Sequence, residues 1–263
     1  MNHPKISIIT VVYNGIDFIE STVLSVINQD YSNFEYIIID GNSTDGTVEV
    51  IKKYESKVKY WISEKDNGIY DAMNKGIDKA SGDWVIFMNC GDFFYSSQVL
   101  SKVFFDKVAD DISILVGGAF VRSEWGNFYL KARSEDQIWK SFVHQSLFSR
   151  IDLNKKYKFN LNFKAASDFD FVYSAFSRKY KSKSLDITVS DIQYISSGFS
   201  SVNELRSKKE VLHSILLHKV GFLCFVRYYS YHGFAFFRKY ISIVIKKRFP
   251  NFITYIRKKR DLI

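Results

Sequence analysis

The first ninety residues alternate between continuous apolar runs and segments with three- and four-residue apolar spacing. Lys5 to Val12 (KISIITVV) reads as a strand that stops at the turn signal Tyr13-Asn14-Gly15. Ile19, Val23, Val26 and Ile27 then mark one face of a helix that ends before Asp30. Phe34 to Ile39 predicts a second strand, halted by Asp40-Gly41-Asn42-Ser43-Thr44-Asp45-Gly46-Thr47. Thr47 to Tyr54 follows as a helix with Val48 and Ile51 turned inward. A short strand over Lys59–Ser63 leads through Glu64-Lys65-Asp66-Asn67-Gly68 into a helix in which Tyr70, Met73, Ile77 and Ala80 recur. Gly82 sits where that helix is expected to stop, and Trp84 to Met88 suits a strand buried on both faces. The β-α-β-α-β-α-β order predicts an α/β fold with right-handed crossovers and a mostly parallel sheet flanked by helices.

The second half is less regular. Strands are expected over Ile112–Val121 and Asn127–Lys131, with Gly117-Gly118 as a bulge, and over Leu185–Tyr194. His144 falls in the apolar stretch Phe142–Phe148, which reads as a strand. Ser167 suits an N-cap ahead of a helix faced by Phe171, Val172, Ala175 and Phe176. Ser201-Val202-Asn203-Glu204 reads as a capping box that opens a helix carrying Leu205, Leu212, Ile215 and Leu216.

Length and composition narrow the class. A chain of 263 residues with 46% apolar content and two prolines can bury a sizeable core and is not linker-rich. Cys90 and Cys224 lie far apart without metal-ligand spacing and read as free thiols of a reducing compartment. The start lacks the pattern of a signal peptide, and no run reaches the length of a spanning helix, so a cytoplasmic location is expected.

The formal charge of +9 is concentrated at one end. Residues 219–263 hold 11 of the 37 basic residues and one of the 28 acidic ones, which leaves 26 against 27 before them. Twelve aromatic residues interleave with the basic ones, including Phe222, Phe225, Phe234 and Phe237. Basic and aromatic residues on amphipathic helices suit the interface of an anionic membrane. A solvated basic face or a helix packed on the core is the competing reading. The near-neutral remainder argues against a nucleic-acid partner.

Candidate chemistry gathers at strand ends. Asp40 and Asp92 close two strands at the carboxyl edge of the sheet, where open α/β folds bind ligands, and the Asp66 loop is expected to join them. Three neighbouring acids need a cation or a ligand rich in N–H and hydroxyl donors. No GxGxxG follows the first strand and no GxxxxGK[ST] occurs, which argues against dinucleotide and P-loop chemistry. Asn89-Cys90-Gly91-Asp92 could equally be an ordinary turn. By default His144 is a hydrogen-bonded structural histidine, and Asp168 and Asp170 are acids favoured by the dipole of a first helical turn.

The segments IITVVYNG, IIIDGNSTDGT, EKDNGIYDAMNKGI and SGDWVIFMNCGD together resemble the nucleotide-sugar half of the family 2 glycosyltransferases, which have the GT-A fold. The resemblance implies an inverting transfer from a nucleoside-diphosphate sugar to a hydroxyl of a lipid-linked glycan in bacterial surface polysaccharide biosynthesis. It implies that Asp40 contacts the base or ribose, with Tyr13 and Asp66 lining that pocket. Asn89 and Asp92 occupy the family's DXD region, where carboxylates hold Mg²⁺ or Mn²⁺ on the diphosphate; Asp92 is the carboxylate retained, and Asn89 and Gly91 stand where acids are common. His144 then faces the diphosphate or the metal, Asp168 is the catalytic base, Asp170 is a supporting acid, and Gly198-Phe199-Ser200 belongs to an acceptor-side loop. The implied division is 1–218 as the GT-A domain, with 1–95 the donor half and 96–218 the acceptor half, and 219–263 as a tail docked on the inner membrane face. A sugar-phosphate nucleotidyltransferase and a non-catalytic binding module are the rival readings. The first would want a Gly-rich, basic loop after the first strand, where Thr10 to Gly15 has none.

Overall fold

Seven consecutive buried residues, Ile6–Val12, form β1 at the heart of the sheet. The computed structural model describes residues 3–123, 126–132, 142–194 and 203–218. These belong to one structural unit, Met1–Val220. The expectations for 219–263 and for Gly198-Phe199-Ser200 fall outside the described residues.

Helix α1 (Ile19–Ile27) buries Ile19, Thr22, Val23 and Val26. It is followed by β2 (Phe34–Asp40), α2 (Thr47–Lys53) and β3 (Tyr60–Ser63). On α2 the buried partner of Ile51 is Val50, not Val48. Next come α3 (Ile69–Lys79), β4 (Trp84–Phe87), β5 (Asp92–Phe94), α4 (Val99–Val103), β6 (Ile112–Ser123) and β7 (Phe128–Leu130). The last described elements are β8 (Leu147–Arg150), α5 (Ile151–Lys156), α6 (Ser167–Ser177), β9 (Lys181–Tyr194) and α7 (Glu204–Leu217).

Nine described strands join one sheet in the order β3-β2-β1-β4-β8-β6-β9-β5, with β7 on β6. β1, β2, β3 and β4 are parallel; β8 runs antiparallel between β4 and β6, and β9 is parallel to β6. Six strands therefore end at one edge of the sheet. The antiparallel β5 and β8 begin at that same edge. The expected bulge at Gly117-Gly118 is present as register shifts between β6 and β9.

Two local expectations give way to different physics. Helix α3 ends at Lys79 with Ala80 extended (φ −71°, ψ 137°) as its C-cap, so Gly82 is not the helix stop. A Cβ on Gly82 would lie 2.7 Å from the Lys5 carbonyl oxygen and 2.8 Å from the Ser7 nitrogen, so its hydrogen is what lets β4 start against β1. Helix α7 starts at Glu204 with Asn203 at its N-cap position, and Ser201, expected to open the capping box, lies outside the described residues. That helix buries Val211, Ser214 and Ile215, while Leu205 and Leu216 are exposed. No helix among the described residues is long and apolar enough to cross a membrane.

At the opposite end of the sheet Glu35 on β2 is buried and accepts hydrogen bonds from Lys5 Nζ (2.6 Å), Ser7 Oγ (2.6 Å), Ser81 N (2.6 Å) and Ser81 Oγ (2.7 Å). Burial alone would raise its pKa, but these donors outweigh it and hold the carboxyl at about 2 against an ordinary 4.5. A depressed folded-state pKa contributes stability above the unfolded value and loses it as pH falls through the folded one. Wild-type stability is therefore expected to fall between about pH 4.5 and 2, and Glu35→Gln to be less stable at pH 7 with a shallower acid loss. Urea midpoints at pH 7 and pH 3 test this; parallel losses in both proteins would show that Glu35 is not responsible.

Candidate active site

Two loops at the strand-end edge are sewn together by side chains. Asn14 N donates to Ser43 Oγ (2.7 Å), and Thr44 N donates to Asn14 Oδ1 (2.9 Å). Gly15 N and Ile16 N donate to Thr47 Oγ1 and Asp45 Oδ2, each at 2.9 Å. Asn14 and Asn42 take positive φ (48° and 69°), which asparagine tolerates better than most side chains.

Asp40 is fully buried beneath these loops. Its carboxylate accepts from Ser43 N (2.9 Å), Ser43 Oγ (2.5 Å) and Ser63 Oγ (2.5 Å). Three of its roughly four acceptor positions are thus used in shaping the loop. Other open groups stand beside it. A Cβ on Gly41 would lie 2.5 Å from Asp66 Oδ2 and 3.4 Å from Tyr13 Cβ, so the bare glycine makes room for Asp66 next to Tyr13. Tyr13 is 67% exposed, and Asp66 Oδ1 accepts from Gly68 N at 2.8 Å. An aromatic face and a half-buried carboxylate thus meet at the mouth of the β1–β2 crevice.

Asn89 to Asp92 form a tight turn at the end of β4, closed by Asp92 N donating to the Asn89 carbonyl (2.9 Å). Gly91 takes φ +93°, a backbone state that strains any L side chain, which explains a glycine rather than an acid there. Burial pushes the Cys90 thiol up to about 12, so this cysteine is not an active nucleophile. Burial also raises Asp92 to about 6, while His144, a hydrogen bond from Gln145 and the Asn89 backbone pull it back. Gln145 Nε2 donates to Asp92 Oδ1 at 3.0 Å.

His144 is not in a strand. It opens a 3₁₀ turn (His144–Ser146) that leads into β8. Because β8 is antiparallel and sits next to β4, its beginning lies beside the end of β4. His144 Nε2 lies 3.3 Å from Asn89 Nδ2, and His144 Nδ1 lies 3.4 Å from Asp168 Oδ2. Tyr70 OH, at the start of α3, donates to Asp168 Oδ1 (3.1 Å). Burial and the Asp168 carboxylate push the Tyr70 phenol above its ordinary pKa, so it stays protonated as a donor. The imidazole thus lies between the Asn89 turn and Asp168, two segments that share no sequence neighbourhood.

Asn89 Oδ1 is buried and has no hydrogen-bond partner. An orphaned acceptor of this kind costs about 1–3 kcal/mol unless a ligand or cation satisfies it. With Asp92 it supplies hard oxygen donors of the type Mg²⁺ or Mn²⁺ takes. Both His144 nitrogens already have protein neighbours, which leaves Asn89 and Asp92 as the better-fitting donors. Among the described residues no three His, Cys, Asp or Glu side chains converge as a metal group, so Asp40, Asp66 and Asp92 are not one cluster.

Asp168 lies in the first turn of α6, but Ser167 does not cap that helix. Ala166 is the N-cap, and Ser167 Oγ donates to the Asn160 carbonyl (3.0 Å). The capping acceptor comes from α7: Glu210 receives Lys164 N (3.0 Å), Ala165 N (2.7 Å) and Ala166 N (3.0 Å). Asp170 is buried and accepts from Ser214 Oγ and His218 Nε2, each at 2.8 Å, so it binds α6 to α7. Two residues apart on a helix, Asp168 and Asp170 face different sides. Sequence reading passed over Tyr70, Gln145 and Glu210 as site residues; Tyr70 was legible only as a core position of α3.

A doubly flanked, mostly parallel sheet whose strand-end edge carries these groups is the GT-A architecture. Solved structures agree. S. aureus TarS (residues 1–349, in complex with UDP-GlcNAc) aligns with a TM-score of 0.63 at 20% identity, over 81% of this chain and 66% of that one. The mannosyltransferase PcManGT from Pyrobaculum calidifontis, in complex with GDP-Man and Mn²⁺, aligns at 0.67 and 14% identity, over 84% and 66%. At such identities the likeness establishes fold. Residues 7–183 match the family described as Glycosyl transferase family 2. The chain belongs to that family. An uncharacterized glycosyltransferase of Mycobacterium tuberculosis is 40% identical over 124 residues, which are 47% of this chain and 44% of that protein. A PGL/p-HBAD biosynthesis glycosyltransferase of Mycobacterium bovis is 28% identical over 185 residues, 67% of this chain and 72% of that protein.

Proposed function

We propose that the protein is an inverting glycosyltransferase that moves a sugar from a nucleoside-diphosphate donor to a hydroxyl of a lipid-linked surface glycan. The observation that carries the reading is the His144 imidazole between Asp168 and the Asn89–Asp92 turn. Asp168 takes the proton of the acceptor hydroxyl as that oxygen attacks the anomeric carbon. The bond from the anomeric carbon to the diphosphate oxygen breaks, the nucleoside diphosphate leaves with the electron pair, and configuration inverts. Tyr70 and His144 orient the carboxylate through its two oxygens. Tyr13 and Asp66 line the nucleoside end. A bound Mg²⁺ or Mn²⁺, held by Asp92 and Asn89 with phosphate oxygens and water, would neutralise charge on the leaving group.

The nucleotide-sugar complexes of TarS and PcManGT support a donor of this class, and the mycobacterial relative, a PGL/p-HBAD biosynthesis glycosyltransferase, supports a biosynthetic glycosyl transfer. In this reading residues 1–95 take the donor, 96–218 the acceptor, and 219–263 dock on anionic lipid at the inner membrane face through +10 net charge and interleaved aromatics.

Incubation with UDP-, GDP- and dTDP-sugars tests the reaction. Release of nucleoside diphosphate is expected; pyrophosphate released from a nucleoside triphosphate and a sugar 1-phosphate would instead support a nucleotidyltransferase, and heat protection by a donor without turnover a binding module. Asp92→Ala is expected to abolish metal-dependent donor protection against heat unfolding. Full wild-type activity in EDTA would remove the metal from this scheme.

A further inference from the structure

The face of β5, β6, β7 and β9 turned away from the core carries an exposed aromatic platform. Phe93 pairs with Asp191, Asp191 with Phe120, and Phe120 with Tyr129, so all four share one face of the sheet. Tyr95 stands two residues beyond Phe93 and Arg122 two beyond Phe120, whereas Ala119 and Val121, on the other face, are buried. The rings of Phe120 and Tyr129 lie 4.8 Å apart between centroids, and Tyr95 stands edge-on to both, at 5.9 and 6.1 Å. The Tyr95 and Tyr129 hydroxyls share a hydrogen bond of 2.8 Å. Arg122 grips Asp191 through Nε (2.8 Å) and Nη2 (2.6 Å). Tyr95 remains 41% exposed and Tyr129 59%.

Beside Tyr129 the platform opens into a cleft of about 400 Å³ walled by Lys131, Ser184, Asp186 and Thr188. Gly118 forms its floor: a Cβ there would lie 2.7 Å from the Leu130 carbonyl oxygen. Cleft and platform adjoin the catalytic edge. β5 begins at Asp92 itself, and β6, which points the same way as β4, delivers Phe120 and Arg122 near its carboxyl end.

Resting on the transferase reading, we infer that this surface is an acceptor subsite that holds sugar residues beyond the one attacked. The acceptor is then an oligosaccharide chain rather than a single sugar on its carrier. A pyranose presents an apolar C–H face rimmed by hydroxyls. That is the complement of exposed phenol rings edged by planar, multiply hydrogen-bonding groups such as Arg122, Asp191 and the tyrosine hydroxyls. A lipid headgroup fits less well, because Asp191 already neutralises Arg122. The volume is that of a small-ligand cleft, large enough for a sugar ring and open to a chain leaving it.

The test is binding of the full chain to an array of immobilised envelope-type oligosaccharides, with donor hydrolysis measured on the same samples. Wild type is expected to retain glycans of two or more residues, and Tyr95→Ala/Tyr129→Ala to lose roughly tenfold or more in affinity. Tyr129→Phe, which keeps the ring, should retain most of it. Donor hydrolysis and melting temperature should match wild type in both variants. No retained glycan, or retention that survives the double substitution, overturns the subsite. So does self-association abolished by the same pair, which would assign the face to a second copy. Absent donor hydrolysis in wild type would instead count against the transferase reading, which the array does not measure.

Discussion

Asp168→Asn is expected to lower turnover by roughly 10²-fold or more while leaving donor affinity close to wild type. The substitution is nearly isosteric, so an acceptor oxygen remains for Tyr70 OH at 3.1 Å and the first turn of α6 keeps its shape. What disappears is the basicity that removes the acceptor proton in the transition state. Donor affinity is spared because Tyr13, Asp66, Asn89 and Asp92 are untouched. Single-turnover rates and the heat protection given by a donor sugar measure the two parts separately. Near-normal turnover would take the base role away from Asp168. Asp170 is a poor substitute, since both its hydrogen bonds lead into α7.

The second large effect is expected from a residue remote from the donor. Glu210→Ala removes the acceptor for three backbone donors ahead of α6, at Lys164, Ala165 and Ala166. Ala166 is fully buried and its N–H has no easy route to water, so a loss of about 2–3 kcal/mol in folding stability is expected. The same cap fixes where α6 begins, one residue before Asp168. Turnover should therefore fall at temperatures where the variant is still folded, with donor affinity retained. Glu210→Gln keeps one oxygen acceptor and should recover part of both losses. A variant with wild-type melting temperature and wild-type turnover would show that water replaces the carboxylate at no cost.

Much of the first half was legible because its signals are local. The strand and helix limits from Ile6 to Phe87 lie within a residue or so of the periodicity, since the period reports which side chains face a core and Gly, Asn and Asp report where the chain turns. The edge that would carry the chemistry followed from strand order alone. The same reasoning missed part of the role of Asp40: a carboxylate ending a strand reads as a ligand contact, and nothing in the sequence says that Ser43 and Ser63 will donate to its oxygens. Gly82 misled for a related reason. Helix stops and close backbone approaches both select glycine, and only the position of Lys5 and Ser7 tells them apart.

By itself, the sequence determined an α/β chain with a parallel half, the edge holding Asp66 and Asp92, and a helix beginning near Asp168. Tertiary structure alone decided how those parts meet. β8 enters antiparallel between β4 and β6, which sets His144 beside Asn89, 55 residues away, and beside Asp168. α7 returns Glu210 to a turn 46 residues earlier. Such contacts link positions with no shared period or turn, and their stability comes from desolvated hydrogen bonds that exist only once the sheet is assembled.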